Sequence, residues 1–324
     1  MNETCTDING ALETYYLPTM YSIEFVVGLI GNLTVICGYL FCLKEWKCSN
    51  IYLFNLSIAD LIFICTLPMF IVYYGNGKKW IFGDVMCKLN RYVLHANMYI
   101  SILFLACTSI DRYLLVLNPM RLHLFQRKQS AVAICVAMWL IVTLEIIPML
   151  TFIGPNNISE HNNITVVKCV DYASSGNAGN NLIYSLCLTV CGFLLPLCVM
   201  FFFCVGTARA LTRLSQERAN NITLEKPLTL VILAVVIFLV LFTPYHIMRN
   251  VRILSRMDSI GFSECTIVGI KASYAVTRPI AFLNSTINPI FYFLLGDKFR
   301  DTLTNRVKVI CLKFTSCLVR RPMC

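Results

Sequence analysis

Asp111-Arg112-Tyr113 and Asn288-Pro289-Ile290-Phe291-Tyr292 each close a long apolar stretch of this chain. An arginine that can pair with the preceding aspartate at a membrane boundary is costly in lipid. So is a proline that frees backbone groups beside a polar Asn and Tyr. Packing alone accounts for neither. Asp-Arg-Tyr occurs by chance, so the weight lies in finding the two clusters at the same-side ends of the third and seventh apolar runs.

Those runs follow from composition. With 57% hydrophobic and 14% charged residues and a mean hydropathy of +0.69, the chain is too apolar for a soluble domain. Runs of roughly 20 residues or more, enough for a hydrocarbon core of about 30 Å, lie near 19–43, 51–74, 86–117, 131–153, 181–208, 228–254 and 268–295. An all-α membrane protein is expected, with an extracellular N-terminus over 1–18, a spanning domain over 19–295 and a cytoplasmic tail over 296–324. No repeat, low-complexity tract or second domain is apparent.

Charge sets the orientation. Residues 1–43 hold Glu3, Asp7, Glu13 and Glu24 but no Lys or Arg, and Lys44 and Lys47 follow at once. The positive-inside rule places the N-terminus outside. Arg121, Arg127, Lys128, Arg209, Arg213, Arg218 and a basic tail then lie in the cytoplasm and supply much of the net charge of +10, so no nucleic-acid partner is needed to explain it. No basic segment precedes a cleavage site, and the first span is read as its own membrane signal. Asn2, Asn157 and Asn163 head glycosylation sequons in extracellular segments.

Of seventeen cysteines, Cys5, Cys87, Cys169 and Cys265 fall in the oxidising compartment, where three pairings are open. Cys311 and Cys317 are candidate palmitoylation sites, with unmodified cysteines the alternative.

The outer half of the bundle is rich in cations. Arg91 lies 21 residues before Arg112, roughly 30 Å along a helix and so at the opposite membrane face. His95 follows at i+4. Arg249 stands one turn beyond His246, and Arg278, Ala281, Ser285, Asn288 and Tyr292 step along one face of the last helix. Guanidinium groups match carboxylate and phosphate, and uncompensated ones repel until an anion arrives, so the ligand is expected to be an anion. Snorkelling to the surface is the alternative, preferred for Arg252 and Arg256. Lys78 and Lys79 read as a solvated steering patch.

In its two clusters and seven spans the chain resembles the rhodopsin-like G-protein-coupled receptors. That resemblance implies a seven-transmembrane helix bundle with a short amphipathic eighth helix from Asp297 to about Val309. It selects a Cys87–Cys169 disulfide, leaving Cys5 with Cys265 as in the nucleotide- and chemokine-receptor branches. It implies a switch built on Asp111, Arg112, Tyr113, Phe242, Pro244, Asn288, Pro289 and Tyr292, with Phe242 replacing the usual Trp. Leu224 stands where many relatives place an acid and Glu225 is one residue off, so no full ionic lock is expected. A polar cluster of Asp60, Ser101, Asn284, Ser285 and Asn288, with Asn32, matches the family's allosteric sodium site, a water-filled network being the alternative. Partners implied are a heterotrimeric G protein, Gi or else Gq, meeting Arg209, Arg213 and the second cytoplasmic loop, together with arrestin and membrane lipid.

The stretches Asn90–Asn97, Thr243–Arg252 and Val276–Ser285 narrow the resemblance to dicarboxylate-sensing members of the nucleotide-receptor-like branch. It implies succinate or a similar small dicarboxylate, bound by Arg91, His95, Arg249 and Arg278, with Tyr21, Tyr74 and Asp171 contributing. For the tyrosines, ordinary packing is the alternative. Oxoglutarate or a nucleotide is the competing ligand. A dicarboxylate transporter is the competing class, and the absence of internal repeats argues against it. No Ser-His-Asp, metal-ligand or Gly-rich phosphate pattern points to an enzyme.

Overall fold

In lipid a main-chain amide has no water to bond, so each apolar run must satisfy its own as a helix. The computed structural model describes residues 8–42, 46–117, 127–153, 155–160, 164–217 and 225–295. It builds α1 (Asn9–Phe41), α2 (Cys48–Gly75), α3 (Gly83–Leu117), α4 (Lys128–Phe152) and α5 (Ala178–Arg213), then α6 (Glu225–Leu254). The seventh crossing is split at Leu283 into α7 (Glu264–Phe282) and α8 (Asn284–Leu295). Among the described residues, six helices are apolar enough to span by composition. The seventh is less apolar because its outer half carries Glu264, Lys271 and Arg278.

Local chemistry explains the irregularities. The turn at Cys65–Thr66 in α2 precedes Pro68, which has no N–H to offer the ladder. Ser263 Oγ caps α7 by accepting from Thr266 N at 3.2 Å. Asn177 Oδ1 caps α5 through Asn180 N at 3.1 Å. Gly31 lets α1 lie against α8, since a Cβ there would stand 2.9 Å from Pro289 Cγ.

α3 runs through the middle of the bundle, with Tyr99, Ile102 and Phe104 fully buried. α4 is peripheral: Leu140 is 59% and Leu144 70% exposed, as lipid-facing side chains should be. Between α4 and α5 the chain forms an antiparallel hairpin, β1 (Pro155–Glu160) and β2 (Ile164–Cys169), with Pro155 opposite Cys169. Trp80 N donates to Val167 O at 2.8 Å, tying the hairpin to the α2–α3 loop. The Cys87–Cys169 disulfide, with Cα atoms 5.6 Å apart, anchors the hairpin to α3. Cys265 is disulfide-bonded.

Three expectations change. α1 begins at Asn9 rather than near residue 19, through a π-helical turn at Leu12–Tyr16. Within this segment Glu13 is tied to Lys78 and, at 3.7 Å, to Lys271. Lys78 is therefore half of an ion pair rather than a free steering charge. Arg256 does not snorkel: its guanidinium donates to the carbonyls of Ser175 at 2.9 Å and Gly176 at 2.6 Å, holding the loop after β2. Asn2, Cys5, Asn163, Leu224, the eighth helix, Cys311 and Cys317 lie outside the described residues, as do the side chains of Asn157, Glu225 and Tyr292.

Candidate functional site

At the end of the bundle remote from Arg112, α2, α3, α6 and α7 enclose a buried polar cage beneath the loop that follows β2. Arg91 is 3% exposed; its Nη2 donates to the Cys169 carbonyl at 2.8 Å, and its guanidinium carbon lies 4.9 Å from the centre of the Phe70 ring. One turn on, His95 Nδ1 is 2.8 Å from the Arg91 carbonyl. A carbonyl only accepts, so Nδ1 donates there, and Nε2 faces the cage. Tyr245 Oη stands 3.3 Å from that Nε2.

Arg278 enters from α7. Its Nη2 donates to Tyr74 Oη at 2.9 Å, and its guanidinium lies 5.8 Å from the Tyr74 ring centre and 5.5 Å from that of Tyr274. Such contacts with aromatic faces add to the retention of a desolvated cation. Tyr21 packs its ring 6.0 Å from that of Tyr74.

Asp171 completes the cage. Tyr274 Oη donates to Asp171 Oδ2, and Asp171 Oδ1 lies 3.9 Å from His95 Nε2. Burial pushes this carboxyl's pKa up. His95, Arg91, the Tyr274 bond and Arg278 push it down more strongly, so it stays below the usual carboxylate range and remains ionised. The expectation of uncompensated arginines is thereby corrected, because the chain's own carboxylate lies in the field of Arg91 and Arg278. The cause is the disulfide, which places residue 171 two positions past Cys169 at the top of α3.

Arg249 forms a second compartment. Fully buried, it donates through Nε to Ser185 Oγ at 3.0 Å, through Nη1 to Tyr99 Oη at 2.7 Å, and through Nη2 to Ser185 O at 3.2 Å and Thr189 Oγ1 at 3.0 Å. Nη2 also lies 3.1 Å from His246 Nδ1. Arg249 thus engages α3 and α5, where Thr189–Leu194 is π-helical and widens the turn. Tyr245 touches both compartments, since its ring centre lies 5.5 Å from the Arg249 guanidinium and 6.0 Å from the Tyr274 ring. Sequence reasoning missed Tyr99, Tyr245 and Tyr274. Two of them were within reach, because Tyr99 is i+4 from His95 and Tyr274 is i−4 from Arg278.

Deeper in the bundle, Asn288 Nδ2 donates to Asp60 Oδ2 at 2.8 Å, and Asn97 Nδ2 donates to Ser285 Oγ at 2.7 Å. Asn32 Nδ2 reaches the Ser285 carbonyl at 2.9 Å. Asn97, Ser101 and Ser285 also direct polar groups at the buried Asp60 carboxylate, so oxygen ligands suited to a hard cation converge there. Asn284 is 2% exposed, and its amide makes no hydrogen bond among the described residues. At the opposite end, Arg112 Nη2 is 3.3 Å from Asp111 Oδ2. Tyr113 packs 5.2 Å from Phe203, and Phe242 is fully buried 5.4 Å from Phe238, two residues before Pro244 in α6.

Residues 31–292 match the family described as 7 transmembrane receptor (rhodopsin family). The chain is 56% identical over 309 residues to Succinate receptor 1 of Rattus norvegicus and 55% over 305 residues to that of Mus musculus. These alignments cover 95% and 94% of this chain, and the same shares of the relatives. A purinoceptor of Homo sapiens is 38% identical over 306 residues, 94% of this chain and 80% of the relative. This is a family of multi-pass membrane receptors that signal from ligand to G protein, and not one of enzymes. By its matched span, its seven crossings and its paired end motifs, the chain belongs to the rhodopsin family of seven-transmembrane receptors.

Proposed function

We propose that this receptor responds to extracellular succinate or a similar small dicarboxylate and passes the signal to a heterotrimeric G protein, Gi or Gq. The observation that carries the ligand class is Asp171, a carboxylate kept ionised among Arg91, His95 and Arg278 with Tyr274 bonded to it. A pocket that stabilises one carboxylate in this way supplies the chemistry a second and a third require: forked donors, aromatic faces and little water. In this reading Arg278 and Arg91 take the two ends of the diacid, while Arg249 links the cage to α5. The relatives' name supports the choice of succinate.

The remaining parts of the reading follow the charge pattern and family membership. The N-terminus lies outside and the Arg112 end faces the cytoplasm. Asn2, Asn157 and Asn163 carry glycans, Cys5 bonds Cys265, and Cys311 or Cys317 is palmitoylated. Asp60, Ser101, Asn284, Ser285 and Asn288 would hold a sodium ion, whose charge would offset the buried carboxylate. Arrestin binds the activated form. A dose–response panel in cells expressing the chain, with succinate, oxoglutarate, butyrate and adenine nucleotides, tests the ligand. Succinate is expected to be the most potent; a nucleotide response at lower concentration would transfer the site to the purinoceptor reading.

A further inference from the structure

On the Arg112 side of the bundle, α3, α5 and α6 leave between them a groove of about 970 Å³, and the exposed Phe201 and Phe202 of the spanning helix α5 mark it as lipid-facing. Its walls are apolar, with Tyr113, Leu239 and the 68%-exposed Phe202 among them. Gly206 forms part of the lining, where a Cβ would stand 2.7 Å from Tyr113 Cε2, so the bare backbone lets that ring pack closely. At the end nearest the membrane surface stand Arg209 and Arg213, one turn apart on α5 and both exposed. Neither has an acidic partner among the described residues.

From this combination we infer that the groove is a binding site for an anionic phospholipid of the leaflet on the Arg112 side. One acyl chain fills the apolar part and the headgroup phosphate bridges Arg209 and Arg213. Hydrocarbon is the occupant a lipid-facing apolar cleft admits without desolvating anything polar. Two guanidinium groups at i and i+4 provide forked donors to phosphate oxygens. Phosphatidylcholine offers the same phosphate but no net charge, whereas phosphatidylserine adds a carboxylate, so two guanidinium groups favour the net-anionic headgroup. A lipid so placed touches α3, α5 and α6 together and resists their separation. The assignment of the leaflet rests on the orientation proposed above; the binding itself does not.

The test is native mass spectrometry of the full chain released from detergent, with dioleoyl phosphatidylserine and dioleoyl phosphatidylcholine supplied in equal amounts. Retention of phosphatidylserine is expected to exceed that of phosphatidylcholine by roughly 30-fold, the preference that two basic groups near a charged headgroup produce. R209Q/R213Q should reduce the ratio to about one. A210F, which fills the groove and keeps both arginines, should lose phosphatidylserine as well, and chain-free glycerophosphoserine should not displace it. Equal retention of the two lipids by the unmodified protein overturns the assignment, with no variant needed. So does a preference that survives R209Q/R213Q, retention that survives A210F, or displacement by glycerophosphoserine, which would mark a phosphate site without a lipid groove.

Discussion

Tyr274 on α7 donates its hydroxyl to the carboxylate of Asp171 in the loop after β2, so the loop's buried acid is bonded one helical turn above Arg278. The ligand-free cage is therefore partly neutralised by its own chain. Removing Asp171 leaves buried cations unpaired, which typically costs about 3–5 kcal/mol. Asp171→Ala should lower the melting temperature of the ligand-free receptor, and succinate should raise it by more than in the unmodified protein, because the ligand replaces the missing charge. Equal succinate shifts in the two proteins would contradict this.

The same pair fixes a pH dependence. A carboxyl whose pKa is depressed by folding stabilises the protein above its unfolded value, about 3.9. That contribution is lost as pH falls through the lower folded value. Between pH 5 and 8 Asp171 should add no slope to stability. Below about pH 4 its contribution fades, and Asp171→Asn should remove that part of the acid sensitivity. Thermal melts across pH 3–8 with both proteins measure it; identical acid limbs would count against the ionised cage.

Arg249 and Arg278 should behave differently when truncated. The first makes bonds to Ser185, Tyr99 and Thr189, whereas the second, among the described residues, makes one side-chain bond, to Tyr74. Hydrogen bonds to a charged group contribute a net of about 1.5–3 kcal/mol each. Arg249→Ala should therefore destabilise the ligand-free receptor clearly more than Arg278→Ala. Matching melting temperatures for the two variants would show that Arg249 does not anchor α5.

At the inner cluster, Asp60→Asn keeps the size of the side chain and removes its charge. Basal signalling should change, and any dependence of agonist affinity on sodium should disappear. Sodium sensitivity that persists in Asp60→Asn would place the ion elsewhere.

How much was legible in the sequence depended on where each residue sits. Arg91, His95, Arg278, Asp60 and Asn288 lie on helices whose period is readable, and all are buried in the described structure. The arrangement of Asp171 was not legible, because a loop has no period and its position follows from the Cys87–Cys169 bond and from Tyr274. Arg249 is readable one turn beyond His246, but its bonds to Ser185 and to Thr189, where a π-helical turn begins, are not signalled by hydropathy. Hydropathy likewise does not signal the early start of α1, where Glu13 lies beside Lys78 and Lys271.

The most direct test of the dicarboxylate cage is equilibrium binding of radiolabelled succinate to purified receptor and to Arg278→Ala, with folding of both verified by thermal melt. Truncating one partner of a buried charge pair costs about 2–5 kcal/mol, so affinity should fall by at least roughly 30-fold. Arg278→Lys should recover only part of the loss, because a point charge lacks the fork, and butyrate should compete poorly with the unmodified protein. Unchanged succinate affinity in Arg278→Ala, or butyrate competing as well as succinate, would contradict a cage built for two carboxylates.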